Sequence, residues 1–128
     1  MPEPVWSLRV GSDFSSSHQL RNYGGKCEDL HGHNFLVEVE VNGNRLEPDT
    51  GLLMDFKELK LKLEEILAEL DHKHLNELEF FQNTNPSSEN LARFIYQRLK
   101  TMLPDNKVSL AWVMVAEKHS SRAFYREI

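Results

Sequence analysis

Three histidines and one thiol stand close together near the start of the chain: His18, Cys27, His31 and His33. A pair at i and i+2 cannot share a helix face, but on a β-strand both side chains point to the same side. His31 and His33 lead directly into Asn34-Phe35-Leu36-Val37-Glu38-Val39-Glu40-Val41, which alternates as a half-buried strand does. Phe35, Val37, Val39 and Val41 continue the histidine face, while Glu38 and Glu40 lie on the other. Imidazole is the commonest protein ligand for zinc, and a catalytic zinc ion takes three protein ligands and keeps one position open. His18 can supply the third. The same residues also admit a closed structural site with Cys27 as fourth ligand, which would leave no room for substrate.

Two further places carry chemistry. Asp71-His72 offers an imidazole whose tautomer a neighbouring carboxylate can fix, although the same pair, with His74, also reads as the polar exit of a helix. Glu117 ends an otherwise apolar run, Ala111 to Ala116. It is either the polar end of a strand or a carboxylate able to accept two parallel N–H bonds from a flat heterocycle such as an aminopyrimidinone. Cys27 as a free thiol is a weak base until a nearby cation or imidazolium lowers its pKa.

The elements that must position these groups are legible from periodicity. Val5 to Val10 reads as a short strand with Trp6, Leu8 and Val10 on one face, and Phe14, Ser16 and His18 share a face if that segment is extended. Gly24-Gly25 marks a loop that delivers Cys27 to the metal strand, and Asn42-Gly43 closes that strand. Asp55 is the N-cap of a helix, with Glu58 completing a capping box. The helix carries Phe56, Leu59, Leu63, Ile66, Leu67 and Leu70 as its apolar stripe. Ser87 caps a second helix, with Leu91, Phe94, Ile95, Leu99, Met102 and Leu103 as the stripe. Val108 to Glu117 and Ala123 to Ile128 read as two strands of a hairpin around Lys118 to Arg122. The order is β-β-α-α-β-β: an α+β fold with a four-stranded antiparallel sheet and two helices on one face.

At 128 residues the chain is expected to be one domain, and its 40% hydrophobic and 27% charged residues are ordinary for a globular protein. A net charge of −5 without a Lys/Arg stripe gives no support to nucleic-acid binding. With a single cysteine no intramolecular disulfide is possible, which with the lack of a secretory apolar region near Met1 fits a reducing, cytoplasmic compartment. No apolar run approaches the roughly 18–20 residues of a membrane span.

Taken in order, Phe14-Ser15-Ser16-Ser17-His18, Cys27-x-x-x-His31-Gly32-His33, Gly51-x-x-x-Asp55-Phe56, Leu70-Asp71-His72-x-x-Leu75-Asn76, Asn85-Pro86-Ser87-Ser88-Glu89-Asn90-Leu91-Ala92 and the late Glu117 resemble the 6-pyruvoyl-tetrahydropterin and 6-carboxy-tetrahydropterin synthase family. The resemblance implies the tunnelling fold, in which trimers close their sheets into a barrel and two trimers stack as a hexamer. It implies that His18, His31 and His33 bind zinc, that Cys27 is the general base, and that Asp71 with His72 completes the proton-transfer group. Active sites would lie between subunits, so Cys27 would meet Asp71-His72 of a neighbour. Glu117 would anchor the pterin ring, with Ser87, Ser88 and Glu89 at the pocket edge. The implied substrate is 7,8-dihydroneopterin triphosphate or a close relative. Zinc would act as a Lewis acid on the side-chain hydroxyls while Cys27 and Asp71-His72 move protons.

In the carboxy-tetrahydropterin branch the side chain is cleaved with release of acetaldehyde, toward queuosine and other 7-deazapurines. In the pyruvoyl branch it is retained. Glu28, directly after Cys27, resembles a bacterial subgroup that also forms 6-hydroxymethyl-dihydropterin for folate synthesis; it also reads as a solvent-facing loop residue. No obvious basic cluster awaits the triphosphate, and Arg21 and Lys26 are candidates by proximity alone. Two other readings stay open: a pterin- or metal-binding relative without turnover, and a metal hydrolase using a zinc-bound water.

Overall fold

The structure is a computed structural model that describes residues 1–22, 24 and 29–128. Cys27 and Glu28, and with them Lys26, lie outside the described residues.

Four strands form one antiparallel sheet in chain order: β1 (Trp6–His18), β2 (His31–Gly43), β3 (Ser109–Lys118) and β4 (Ser121–Tyr125). Two helices, α1 (Phe56–Leu67) and α2 (Ser88–Met102), lie between β2 and β3 in sequence. The expected short first strand is in fact 13 residues long. Its middle, Gly11-Ser12-Asp13, has poor β-propensity, but unbroken pairing with β2 from Trp6↔Gly43 to His18↔His31 overrides that. Propensity describes a residue; register describes the neighbour it is held against.

Alternation assigns the two faces. Phe14, Phe35, Val37, Val39, Val41, Val113 and Val115 point to the helix layer and are buried there with Leu59, Leu63, Ile66, Leu91, Ile95 and Leu99. Each such aliphatic side chain contributes about 1.5–3 kcal/mol by leaving water, so this face fixes the register of the whole sheet. On the opposite face Trp112, Met114 and Ala116 form a smaller buried cluster with Leu36 beside it. Arg9 lies over the Trp112 ring at 5.0 Å and bonds Glu40 at 2.7 Å.

Both helices start where the caps are. Asp55 accepts from the Lys57 amide at 2.8 Å, and Ser87 Oγ accepts from the Asn90 amide at 3.1 Å. Glu58 faces Lys62 Nζ at 3.9 Å. Phe56, the first residue of the expected stripe, is exposed. The first turn of α1 overhangs the outer edge of β1, where Phe56 and Leu61 flank a groove with Arg9 and Gly11. Leu70 is buried although the helix ends at Leu67. Two short 3-10 turns, Leu75–Glu77 and Glu79–Phe81, follow; these had no periodic signal because each is only three residues long. No helix of the described residues is long and apolar enough to cross a membrane.

Candidate metal centre and its surroundings

The register that pairs His18 with His31 and Ser16 with His33 brings His18, His31 and His33 to one end of the sheet, all on the helix-facing side. Phe35 floors the cluster, with its ring 5.2 Å from that of His18 and 5.6 Å from that of His33. Phe14 stacks on Phe35 at 4.9 Å and so fixes the floor. One ligating atom from each histidine, with a carboxylate oxygen of Glu117, lies within 4.8 Å of all the others.

The donor set fits a metal. His18 is fully buried, and its Nε2 has no hydrogen-bond partner. Its Nδ1 lies 2.7 Å from the Pro86 carbonyl oxygen, which can only accept. That fixes the proton on Nδ1 and leaves the Nε2 lone pair facing the cluster, the usual arrangement behind a metal-bound imidazole. His31 repeats it, with Nδ1 2.7 Å from the Asp29 carbonyl. Burial pushes the His18 imidazole below the usual histidine range, opposed by the Pro86 bond and the Glu117 charge. The neutral ring is the form that binds metal. An orphaned buried nitrogen costs about 1–3 kcal/mol, which a coordinated ion removes.

Glu117 sits where β3 breaks register, between Ala116 and Lys118, one step before the turn to β4. Bulges re-aim side chains beside sites. Its Oε1 is 3.4 Å from His18 Nε2 and its Oε2 is 3.5 Å from His33 Nε2. The apolar run before it hid this placement, although strict alternation from Val113 and Val115 already aims position 117 at the histidine face. Glu117 also borders a cavity of about 300 Å³ lined by Leu20, Ser87, Ser88, Glu89, Lys118 and Arg122, at the low end for small-molecule sites. The three expected pocket-edge residues are therefore on one wall, at the N-terminus of α2, with Glu117 on another.

Asp71 and His72 sit elsewhere. Asp71 Oδ1 accepts from the Ser15 amide at 2.8 Å, the His72 amide donates to Ser15 O at 2.6 Å, and the Ser17 amide donates to Lys73 O at 3.0 Å. Residues 71–74 are thus laid along the outer edge of β1. Asp71 Oδ2 lies 2.9 Å from His72 Nδ1, the orienting contact expected from the sequence. The Ser15 bond, then the His72 bond, hold the Asp71 carboxyl below the usual carboxylate range. His72 takes φ 56°, a left-handed backbone unusual for a residue with a Cβ, and its side chain is 82% exposed. It shares a cavity of about 600 Å³ with Ser15, Ser17, Asn34 and His74, and His33 forms part of the same wall. Among the described residues no hydrogen bond or ion pair joins Asp71 or His72 to the three histidines.

Two asparagines of the quoted motifs, neither with a role assigned from the sequence, hold the chain leaving His18. Asn76 accepts from the Gln19 amide and donates to the Gln19 carbonyl, both at 2.9 Å. Asn85 does the same to Arg21, again at 2.9 Å for each bond. The Arg21 side chain donates to the Phe81 carbonyl at 2.8 Å, a further clamp on the protein's own backbone.

A four-stranded antiparallel sheet with two helices across one face and a histidine cluster at its end is the tunnelling-fold architecture. The sequence model for 6-pyruvoyl tetrahydropterin synthase matches residues 7–128, and the chain belongs to that family. It is 36% identical over 100 residues to a 6-carboxy-5,6,7,8-tetrahydropterin synthase of Synechocystis, covering 75% of this chain and 76% of that one. It is 37% identical over 102 residues to the human 6-pyruvoyl tetrahydrobiopterin synthase, covering 77% and 70%. The solved structure of Caenorhabditis elegans 6-pyruvoyl tetrahydropterin synthase superposes with a TM-score of 0.87 at 25% identity, covering 100% of this chain and 99% of that one.

Proposed function

We propose that this family member converts 7,8-dihydroneopterin triphosphate to 6-carboxy-5,6,7,8-tetrahydropterin, with loss of triphosphate and acetaldehyde, as a zinc-dependent lyase supplying queuosine and related 7-deazapurines. The observation that carries the metal-dependent reading is the trio of converging imidazoles with an orphaned, buried His18 Nε2. His18, His31 and His33 would hold the ion, and bound zinc supplies Lewis acidity to hydroxyls at an open position. The two backbone carbonyls of Pro86 and Asp29 keep the His18 and His31 rings in the ligating tautomer.

Ring recognition falls to the 300 Å³ cavity. The Glu117 carboxylate can accept a pair of N–H bonds from a pterin, and the α2 N-terminus beside Ser87, Ser88 and Glu89 offers backbone donors. Proton transfer falls to Cys27 as base and to the Asp71-His72 pair. Asp71 and His72 lie on the β1 edge with the His72 side chain exposed, which supports reading them as serving the histidine cluster of a neighbouring copy. That arrangement is consistent with a hexamer of two stacked trimers with sites between subunits.

The relatives carry both product names, so a 6-pyruvoyl product, with or without 6-hydroxymethyl-dihydropterin directed by Glu28, is the second reading. Mass spectrometry of products from zinc-loaded protein given 7,8-dihydroneopterin triphosphate tests it. 6-Carboxy-tetrahydropterin with acetaldehyde is expected. A retained three-carbon side chain would reassign the product, and unchanged substrate would leave a binding protein.

A further inference from the structure

The position of Glu117 is hard to reconcile with a single role. Its two carboxylate oxygens are spent on two different imidazoles, Oε1 toward His18 and Oε2 toward His33. Yet 3.4 and 3.5 Å are too long for charge-assisted N–H···O bonds, which run about 2.7–2.9 Å, and His18 Nε2 has no hydrogen-bond partner. The spacing matches something else. Ligand atoms held about 2.0–2.1 Å from a tetrahedral zinc ion lie roughly 3.3–3.4 Å apart. Each Glu117 oxygen stands from one imidazole nitrogen, Oε1 from His18 and Oε2 from His33, at the separation of neighbouring ligand atoms, and one carboxylate oxygen lies within 4.8 Å of a donor atom of all three histidines. At the same time it borders the cavity beside Ser87, Ser88 and Glu89. A carboxylate turned to the imidazoles has no oxygen pair left for a ring, so its two uses exclude one another.

We propose that Glu117 is a fourth, displaceable protein ligand of the metal, and that a pterin ring entering the adjoining cavity draws it off. The metal–carboxylate oxygen bond breaks, the carboxylate accepts the ring N–H groups, and a water or substrate hydroxyl oxygen takes the vacated position. No electrons change hands. Recognition of the ring thereby opens the coordination position that the side chain needs, and the metal stays closed to other oxygen ligands until a pterin arrives. The bulge at Ala116/Lys118, beside the hairpin turn, gives the Glu117 backbone the local freedom for the swing. The displacement half of this inference rests on the pterin reading of the cavity; the ligand half does not.

The test compares the full-length parent protein with Glu117→Gln, and with Glu117→Ala as a second variant, each loaded with zinc or cobalt(II). Zinc affinity is read by competition with a chelator, coordination by the cobalt visible spectrum, and ring binding by fluorescence of unsubstituted pterin, which has no side-chain hydroxyl. Expected are a loss of tenfold or more in zinc affinity in both variants, a cobalt spectrum that differs between parent and variants, and a pterin-induced shift of the parent spectrum toward that of the variants. Parental zinc affinity with an unchanged cobalt spectrum in both variants overturns the ligand assignment. Pterin that binds the parent yet leaves its cobalt spectrum unmoved overturns the displacement. Pterin that fails to bind, beside a tenfold loss of zinc affinity in the variants, upholds the ligand assignment and removes the pterin reading of the cavity instead.

Discussion

Replacing Asn76 by alanine probes the least conspicuous part of the site. Its amide makes two bonds to the main chain of Gln19, each 2.9 Å, immediately after the buried His18. A partly buried hydrogen bond is worth about 0.5–1.5 kcal/mol net, so the pair contributes about 1–3 kcal/mol. At about 2.1 cal/mol/K per residue, 128 residues have an unfolding entropy of about 0.27 kcal/mol/K. The expected fall in melting temperature is then about 4–11 °C. Calorimetry of metal-free protein measures it, at matched protomer concentration because assembly would otherwise shift the midpoint. Asn76→Asp keeps the acceptor but loses the donor and sets a carboxylate against the Gln19 carbonyl, so it should be no better than alanine. Zinc affinity should fall about tenfold in both, as it does when groups that orient a ligand are removed. A melting temperature within about 1 °C of the parent, with unchanged zinc affinity, would show that the strand end is held without Asn76 and refute this reasoning.

Other changes separate the parts of the site. His33→Ala should abolish tight zinc binding and lose the metal-dependent rise in melting temperature expected of the parent on titration, while leaving metal-free stability near the parent's. Ser87→Ala removes the α2 cap and should cost about 1 kcal/mol, read as a melting shift of about 4 °C, and weaken pterin binding through the same helix end. The Asp71 carboxyl is held below the usual carboxylate range by the Ser15 amide and then His72, so its contribution is complete above the ordinary value and fades as pH falls through the lower folded one. Asp71→Asn should therefore flatten the loss of stability on acidification below about pH 4, measured by acid titration of the far-ultraviolet signal; a slope equal to the parent's would count against the tether.

Much of this fold follows from local pattern. The alternation behind His33 gives β2 and its buried face, and Asp55 and Ser87 cap the helices where their side chains say they should. What was illegible depends on contacts between distant segments. Gly11-Ser12-Asp13 reads as an interruption because propensity is local, and only the β2 partner makes β1 continuous. Phe56 fits the helical stripe, but the stripe cannot say where the sheet ends beneath it. The three histidines were legible as a set because two share a strand. The carboxylate beside them comes from a strand 84 residues beyond His33, and the perch of Asp71-His72 on the β1 edge is set by bonds to the main chain of Ser15 and Ser17, which carry no side-chain signal.

The two asparagine clamps have a consequence for how such a chain can change over time. Asn76 and Asn85 grip peptide groups of residues 19 and 21, not side chains, and peptide groups are the same whatever residue carries them. The exit from His18 is therefore anchored by contacts blind to the local sequence. Substitutions at residues 19 and 21 leave these four bonds, and with them the place of the first histidine, intact. A lineage can then change the side chains at these two positions without first having to rebuild the exit from His18.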